Sequence, residues 1–247
     1  MTRLFVSQNY APGDVIPLEA AQRHYLRDVL RLREGARLTA VMPDATEAEA
    51  WLEGEGARIE RIGPPCSGPA VHVVLYAALT KHKSFEWMIE KTTEVGVAEI
   101  VPVVTERSVI RPREDRLAMQ VDRWQKIAEA AGRQCQSPTV PAVQPPVSFG
   151  EALAHWRGQG WPGVIFALPA PEEAPGLKRV LADLRGERRL GLFIGPEGDF
   201  SPAEVAQARA AGLLPASLGA RVLRAETAAV VAVALCLYEL GEVDDCA

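Results

Sequence analysis

The sequence predicts a two-part protein, a small all-β unit followed by a larger, mainly parallel α/β sheet. Three observations predict it. Short apolar segments separated by turn residues fill the chain up to Ile62. The stretch Gly63-Pro64-Pro65-Cys66-Ser67-Gly68-Pro69 then breaks the pattern, its prolines holding the backbone extended. Beyond it, strand-like and helix-like segments alternate, the pattern of parallel strands joined by helices. At 247 residues, 48% hydrophobic and 24% charged, the chain has ample material for a buried core and an ordinary globular composition.

In the first unit, strands are expected at 3–6, 36–42, 48–52 and 57–62, divided by Pro12-Gly13-Asp14 and Pro43-Asp44. Such short, closely punctuated strands point to a small β-barrel or sandwich. One helix, from about 20 to 32, interrupts them. After the break, 71–79 is a nearly continuous apolar run, as in a strand buried on both faces. Phe85, Met88, Ile89 and Thr92 recur at helical spacing and stop at Gly96, so 83–95 reads as a glycine-capped helix with Trp87 on its polar face. A strand follows at 99–104. Leu117, Val121, Trp124, Ile127 and Ala131 form the apolar face of a long second helix. Ser148 with Glu151 opens another as a capping box. Strands at 164–168 and 190–194 flank a helix near 177–184. Ser201-Pro202-Ala203-Glu204 is a strong helix start, with serine at the N-cap and glutamate at N3. A short strand at 214–218 and a final helix through Leu240 complete the chain.

Charge and composition exclude several classes. With 27 Lys and Arg against 32 Asp and Glu, the net charge of −5 excludes a generally basic nucleic-acid coat but permits a local basic patch. The longest apolar run, 228–238, is about half of the roughly 20 residues that a membrane span needs. Polar Ser7, Gln8 and Asn9 follow the first apolar residues at once, so no secretory segment is expected. Cys66, Cys135, Cys236 and Cys246 lie far apart, and His24, His72, His82 and His155 lack ligand spacing. A soluble, reduced, cytoplasmic protein without a metal is the expectation. No phosphate loop, dinucleotide fingerprint or nucleophile elbow is present.

In open α/β sheets, ligands collect where loops leave the carboxyl ends of strands. Three such loops stand out. Leu168-Pro169-Ala170-Pro171 leaves one strand, and Ile194-Gly195-Pro196-Glu197-Gly198-Asp199-Phe200 leaves the next. The segment from Leu218 through Gly219 and Arg224 to Ala228 leaves the last. Gly195, Gly198 and Gly219 permit close approach to bare backbone, while Glu197 repels phosphate. The loops suit a ligand held by main-chain groups and carrying one positive end.

Gly195-Pro196-Glu197-Gly198 and Leu218-Gly219-x-Arg221-Val222-Leu223-Arg224-x-Glu226-Thr227-Ala228 closely resemble the bacterial 16S ribosomal RNA uracil-N3 methyltransferases, of the SPOUT superfamily. The resemblance covers nearly the whole chain, through His24-Tyr25-Leu26-Arg27, Lys91-x-Thr93-Glu94-x-Gly96-Val97, Glu106-Arg107-Ser108-Val109 and Arg123-Trp124-x-x-Ile127. Asp199 stands where the family usually has a second glycine, and Ser137 where it has an arginine. The resemblance implies a PUA-like β-barrel over 1–68 and a trefoil-knotted α/β methyltransferase domain over 69–247. It also implies S-adenosylmethionine as cofactor, 16S ribosomal RNA of the small subunit as substrate, and a homodimer. The final helix offers Val230, Val231, Val233, Ala234 and Leu237 for pairing. Leu168, Pro169, Ile194, Gly195, Pro196, Glu197, Gly198, Leu218, Gly219, Val222, Leu223, Arg224, Thr227 and Ala228 are then the candidate cofactor residues.

Methylation at uracil N3 requires loss of the N3 proton and stabilisation of the charge that develops on the ring. Arg224 is the first candidate for that stabilisation and Arg221 the second. Glu226 or Glu197 is the candidate proton acceptor. A first-turn glutamate serving the helix dipole is an equal alternative for Glu226, as plain capping is for Thr227. On an α-helix Arg23, Arg27 and Arg31 form one stripe suited to phosphates, opposite Leu26, Val29, Leu30 and Leu32. A solvated arginine face is the plain alternative. His24, Lys91, Arg107 and Arg111 complete the candidate RNA contacts. Two other functions stay open: a knotted methyltransferase acting on a ribose 2′-hydroxyl or on transfer RNA, and a non-catalytic RNA-binding assembly factor.

Overall fold

The computed structural model describes residues 2–65, 70–167 and 174–241. The chain divides into two compact units, one of Met1–Gly68 with Gly132–Thr139 and one of Pro69–Ala131 with Val140–Ala247. Most of the expected 63–69 break, with Cys66, lies outside the described residues.

The first unit is built on β1 (Thr2–Phe5), β2 (Val15–Pro17), β3 (Arg37–Val41), β4 (Thr46–Glu53) and β5 (Gly56–Pro65), in the sheet order β1-β3-β4-β5-β2. β1 runs parallel to β3, and the remaining pairs are antiparallel. Alternate residues point inward. Leu38 and Ala40, then Ala48, Ala50 and Leu52, then Ala57 and Ile59 are buried together with Leu4, Ile16 and Leu26. Arg3 donates to the Ser137 carbonyl at 3.0 Å, within the same unit.

The helix expected at 20–32 is not continuous. An α-helix, α1 (Ala20–His24), gives way to a π turn over Tyr25–Val29, and Arg31 adopts a left-handed φ of 54°. Of the apolar face expected on it, only Leu26 is fully buried, while Val29 is 57% and Leu30 37% exposed. With one buried contact there is little packing to hold further α-turns together.

The second unit is a seven-stranded sheet of β6 (His72–Ala78), β7 (Glu99–Val104), β8 (Ala142–Val143), β9 (Val147–Ser148), β10 (Gly163–Phe166), β11 (Arg189–Ile194) and β12 (Leu214–Pro215). The order is β12-β10-β11-β6-β7-β8, with β9 also on β7, and every pairing is parallel. Helices cover both faces: α2 (His82–Val95), α3 (Leu117–Gln134), α5 (Leu177–Ala182) and α7 (Ala225–Glu239) on one, α4 (Phe149–Gln159) and α6 (Pro202–Ala211) on the other. β6 shows why its sequence is uniformly apolar. Val73, Leu75 and Ala77 pack on the first face, Val74 and Tyr76 on the second. Gly96 caps α2 with φ 108°, and Ser148 and Ser201 cap α4 and α6 through complete capping boxes. In α7, Val233 and Leu237 are buried in the chain's own core, which removes them from the face expected to pair two chains. Leu235 and Tyr238 point outward instead.

Candidate functional site

The carboxyl ends of β6, β10, β11 and β12 carry the site. β11 ends at buried Ile194 and the chain turns at once, the Asp199 amide donating to the Pro196 carbonyl at 2.9 Å. Gly195 leaves little room for a side chain. A Cβ there would lie 3.0 Å from Asp199 Oδ1 and 3.2 Å from the Phe200 ring. Asp199 holds φ 59°, a conformation suited to glycine but tolerated by aspartate. Its Oδ1 accepts the Phe200 amide at 2.8 Å.

The second wall runs from Ser217 to Arg224, the N-cap of α7. Gly219 takes φ 113°, and its amide and carbonyl both bond Ser217 Oγ, at 3.1 and 3.3 Å. The peptide groups of Leu218, Ala220, Arg221, Val222 and Leu223 bond none of the described residues. They are donors and acceptors left for a ligand or water.

These loops enclose a cavity of about 670 Å³, within the range of small-molecule and cofactor sites. Ile194, Gly195, Pro196 and Glu197 line one side, and Leu218, Gly219, Arg221, Val222, Leu223 and Arg224 the other, with Glu226 and Ala228. Gly198 and Thr227 are not on its wall, and Leu168 and Pro169 lie outside the described residues. The side chains of Arg221, Arg224 and Glu226 have no hydrogen-bond or ionic partner among the described residues. Glu197 Oε1 accepts the Lys81 amide at 3.3 Å. Lys81 also lines the cavity and its side chain is unpaired among the described residues, a third cation absent from the residues the sequence singles out. Its signal was position: it follows the carboxyl end of β6, where ligand sites gather.

Apart from Arg31, the other candidate residues are tied to their own surroundings. Arg23 donates to the Leu18 carbonyl at 3.0 Å and lies 3.5 Å from Glu55. Arg27 reaches Glu34 at 3.0 Å and the Gly54 carbonyl, while His24 Nδ1 sits 2.7 Å from Asp28. The Gly54 amide and Arg27 together hold the Glu34 carboxyl below its usual range. Arg31 alone of the expected stripe is unpaired among the described residues. Lys91 bridges Glu90 and Glu94, each at 2.7 Å, and those bonds raise its pKa. Arg107 donates to the Gly198 carbonyl at 2.9 Å and Arg111 to the Glu106 carbonyl at 3.1 Å. Among the described residues no three His, Cys, Asp or Glu side chains are grouped to hold a metal ion, and no helix is long and apolar enough to cross a membrane.

Comparison with known proteins places this arrangement. A family described as "RNA methyltransferase domain" matches residues 67–237. The "Ribosomal RNA small subunit methyltransferase E" of Synechocystis is 32% identical, over 94% of this chain and 76% of that protein. The protein of the same name from Bacillus subtilis is 26% identical over 97% of each chain. The crystal structure of the Neisseria gonorrhoeae "Ribosomal RNA small subunit methyltransferase E", bound to S-adenosyl methionine, superposes with a TM-score of 0.84 at 27% identity, over 96% of this chain and 97% of that one. With its parallel sheet, its cavity at the strand ends and a family match across most of its length, the chain belongs to the RNA methyltransferase family.

Proposed function

We propose that this protein transfers a methyl group from S-adenosylmethionine to N3 of a uridine in the 16S ribosomal RNA of the small subunit. The observation that carries the reading is the convergence of the 194–200 and 218–228 loops on one cavity with unpaired Arg221 and Arg224 at its wall. The cavity's own chemistry fits the cofactor. Apolar Ile194, Leu218, Val222 and Leu223 suit an adenine ring, and the unpaired peptide groups of 218–223 suit its polar edge and ribose. Glu197 and Glu226 suit the cationic end. When bound, S-adenosylmethionine supplies a methyl group on a positively charged sulfur, a strong electrophile.

The protein's tasks are to orient the base, remove a proton and stabilise charge. Uracil N3 lies on the pairing edge and is protonated at neutral pH, so the base must leave its stack to react. Glu226 or Glu197 accepts the N3 proton, directly or through water. Arg224, with Arg221 three residues before it, stabilises the negative charge spreading onto the ring oxygens. In this reading the first unit, 1–68, is a PUA-like barrel that captures RNA, and 69–247 is a trefoil-knotted catalytic domain. Two chains pair as a homodimer in the cytoplasm, and light scattering should find a dimer as the active species.

The decisive test is nucleoside analysis of 16S ribosomal RNA from cells with and without the protein. N3-methyluridine should be lost from a single position without it. Loss of a ribose-methylated nucleoside instead would move the target to the sugar.

A further inference from the structure

Loops leaving β7 and β11 are tied together across the end of β6, the strand between them in the sheet. Glu204, on α6, is 6% exposed and pairs with no cation among the described residues. Its Oε2 accepts the Ser201 amide at 2.8 Å, closing the local capping box. Its Oε1 accepts the Glu106 amide, also at 2.8 Å, from a residue 98 positions away. A buried carboxylate needs such bonds, so Glu204 anchors the loop after β7 firmly. That loop is itself stiff. The Thr105 amide donates to Ser108 Oγ at 3.1 Å, and the two hydroxyls lie 2.8 Å apart.

From this anchored loop Arg107 reaches back, donating to the Gly198 carbonyl at 2.9 Å. Gly198 sits in the turn that forms one cavity wall, between Glu197 and Asp199, both of which line it. Arg107 faces solvent, so its bond adds little to overall stability. Its effect falls on the shape of the turn. We infer that Glu204 and Arg107 are positioning residues, a strap from the loop after β7 that holds the 195–200 turn in its ligand-receiving form. Arg107 therefore acts through the Gly198 carbonyl rather than on an RNA phosphate. The link to the cofactor rests on reading the cavity as the S-adenosylmethionine site.

Calorimetric titration of S-adenosylmethionine into the full-length protein tests the strap. Arg107→Ala should weaken binding roughly five- to tenfold, the effect of one lost hydrogen bond, with Tm nearly unchanged. Arg107→Lys, which keeps a donor, should restore most of the affinity. The salt dependence of RNA binding should match wild type in both variants. Wild-type cofactor affinity in Arg107→Ala, or a salt slope shallower by about one phosphate contact, would overturn the inference. Hydrogen exchange of the 197–200 amides without any ligand gives a second readout. Exchange should quicken in Arg107→Ala and in Glu204→Gln, and recover in Arg107→Lys. Unchanged exchange in Arg107→Ala would also overturn it. A wild-type protein that binds no S-adenosylmethionine would defeat the cofactor reading alone, leaving the exchange experiment to decide the strap.

Discussion

The arginines of the first unit and those of the cavity differ in what their guanidinium groups touch. Arg23 and Arg27 are held by carbonyls and carboxylates of their own unit, whereas the guanidinium groups of Arg221 and Arg224 bond none of the described residues, in a cavity wall whose 220–223 peptide groups are equally free. A paired guanidinium is part of the scaffold and gives up old bonds before it can meet a new anion. An unpaired one at a concave wall is ready for the charge that a reaction develops. Pairing therefore adds a distinction that sequence spacing, which assigns the Arg23, Arg27 and Arg31 stripe to phosphates and Arg224 to the reacting base, does not supply.

The largest effect should come from the cavity's backbone. Gly195→Val must push against Asp199 and Phe200, so S-adenosylmethionine affinity should fall by roughly a hundredfold or more, the loss of several main-chain contacts together. Circular dichroism should show the fold retained, and unchanged affinity in a folded variant would remove the turn from the site. Next is Arg224→Ala, which should lower the single-turnover rate by roughly a hundredfold, as the loss of an oxyanion donor does elsewhere. Cofactor and RNA affinities should stay near wild type. A normal rate would break the assignment of chemistry to the unpaired arginines.

A smaller effect sharpens the comparison within the first unit. Arg31→Ala should reduce the salt slope of RNA binding by about one phosphate contact with Tm unchanged. Arg27→Ala should instead lower Tm, through lost bonds to Glu34 and the Gly54 carbonyl. Identical behaviour of the two variants in filter binding and thermal melts would erase the distinction. The smallest effect concerns a group set by burial. Burial chiefly, with Arg189 nearby, lowers the His72 pKa from 6.5. The unfolded chain then binds its proton more readily, so the stability linked to neutral His72 is complete above pH 6.5 and is lost as pH falls through the lowered folded value. His72→Asn should flatten the fall in Tm over that window.

Much of the fold was legible because local chemistry and tertiary packing agree. The strand at 99–104 begins and ends where the sequence places it, and Gly96, Ser148 and Ser201 cap the helices they announce. β2, β8 and β9 were missed because strands of two or three residues have no period to read. The helix at 20–32 failed because its apolar spacing met a core only at Leu26. In the site, the 194–200 and 218–228 loops could be named from glycines and strand ends, and their convergence followed from the strand order. The second bond of Glu204 could not be read, since a capping box predicts one partner and the Glu106 amide comes from a distant loop.

The parallel pairing of β6 with β11 has a consequence for synthesis. His72 lies opposite Arg189 and Ala77 opposite Ile194, so the strand at the middle of the sheet is made more than a hundred residues before its neighbour. On the ribosome the apolar β6 run has β7 available soon, but its other edge stays open until β11, whose first residue lies 111 positions beyond Ala78, has emerged. Sheets closed by such distant partners assemble slowly and expose edges that invite aggregation. Folding yield in the cell should therefore depend on the rate of translation and on chaperones that shield β6, more than on the stability of the finished sheet.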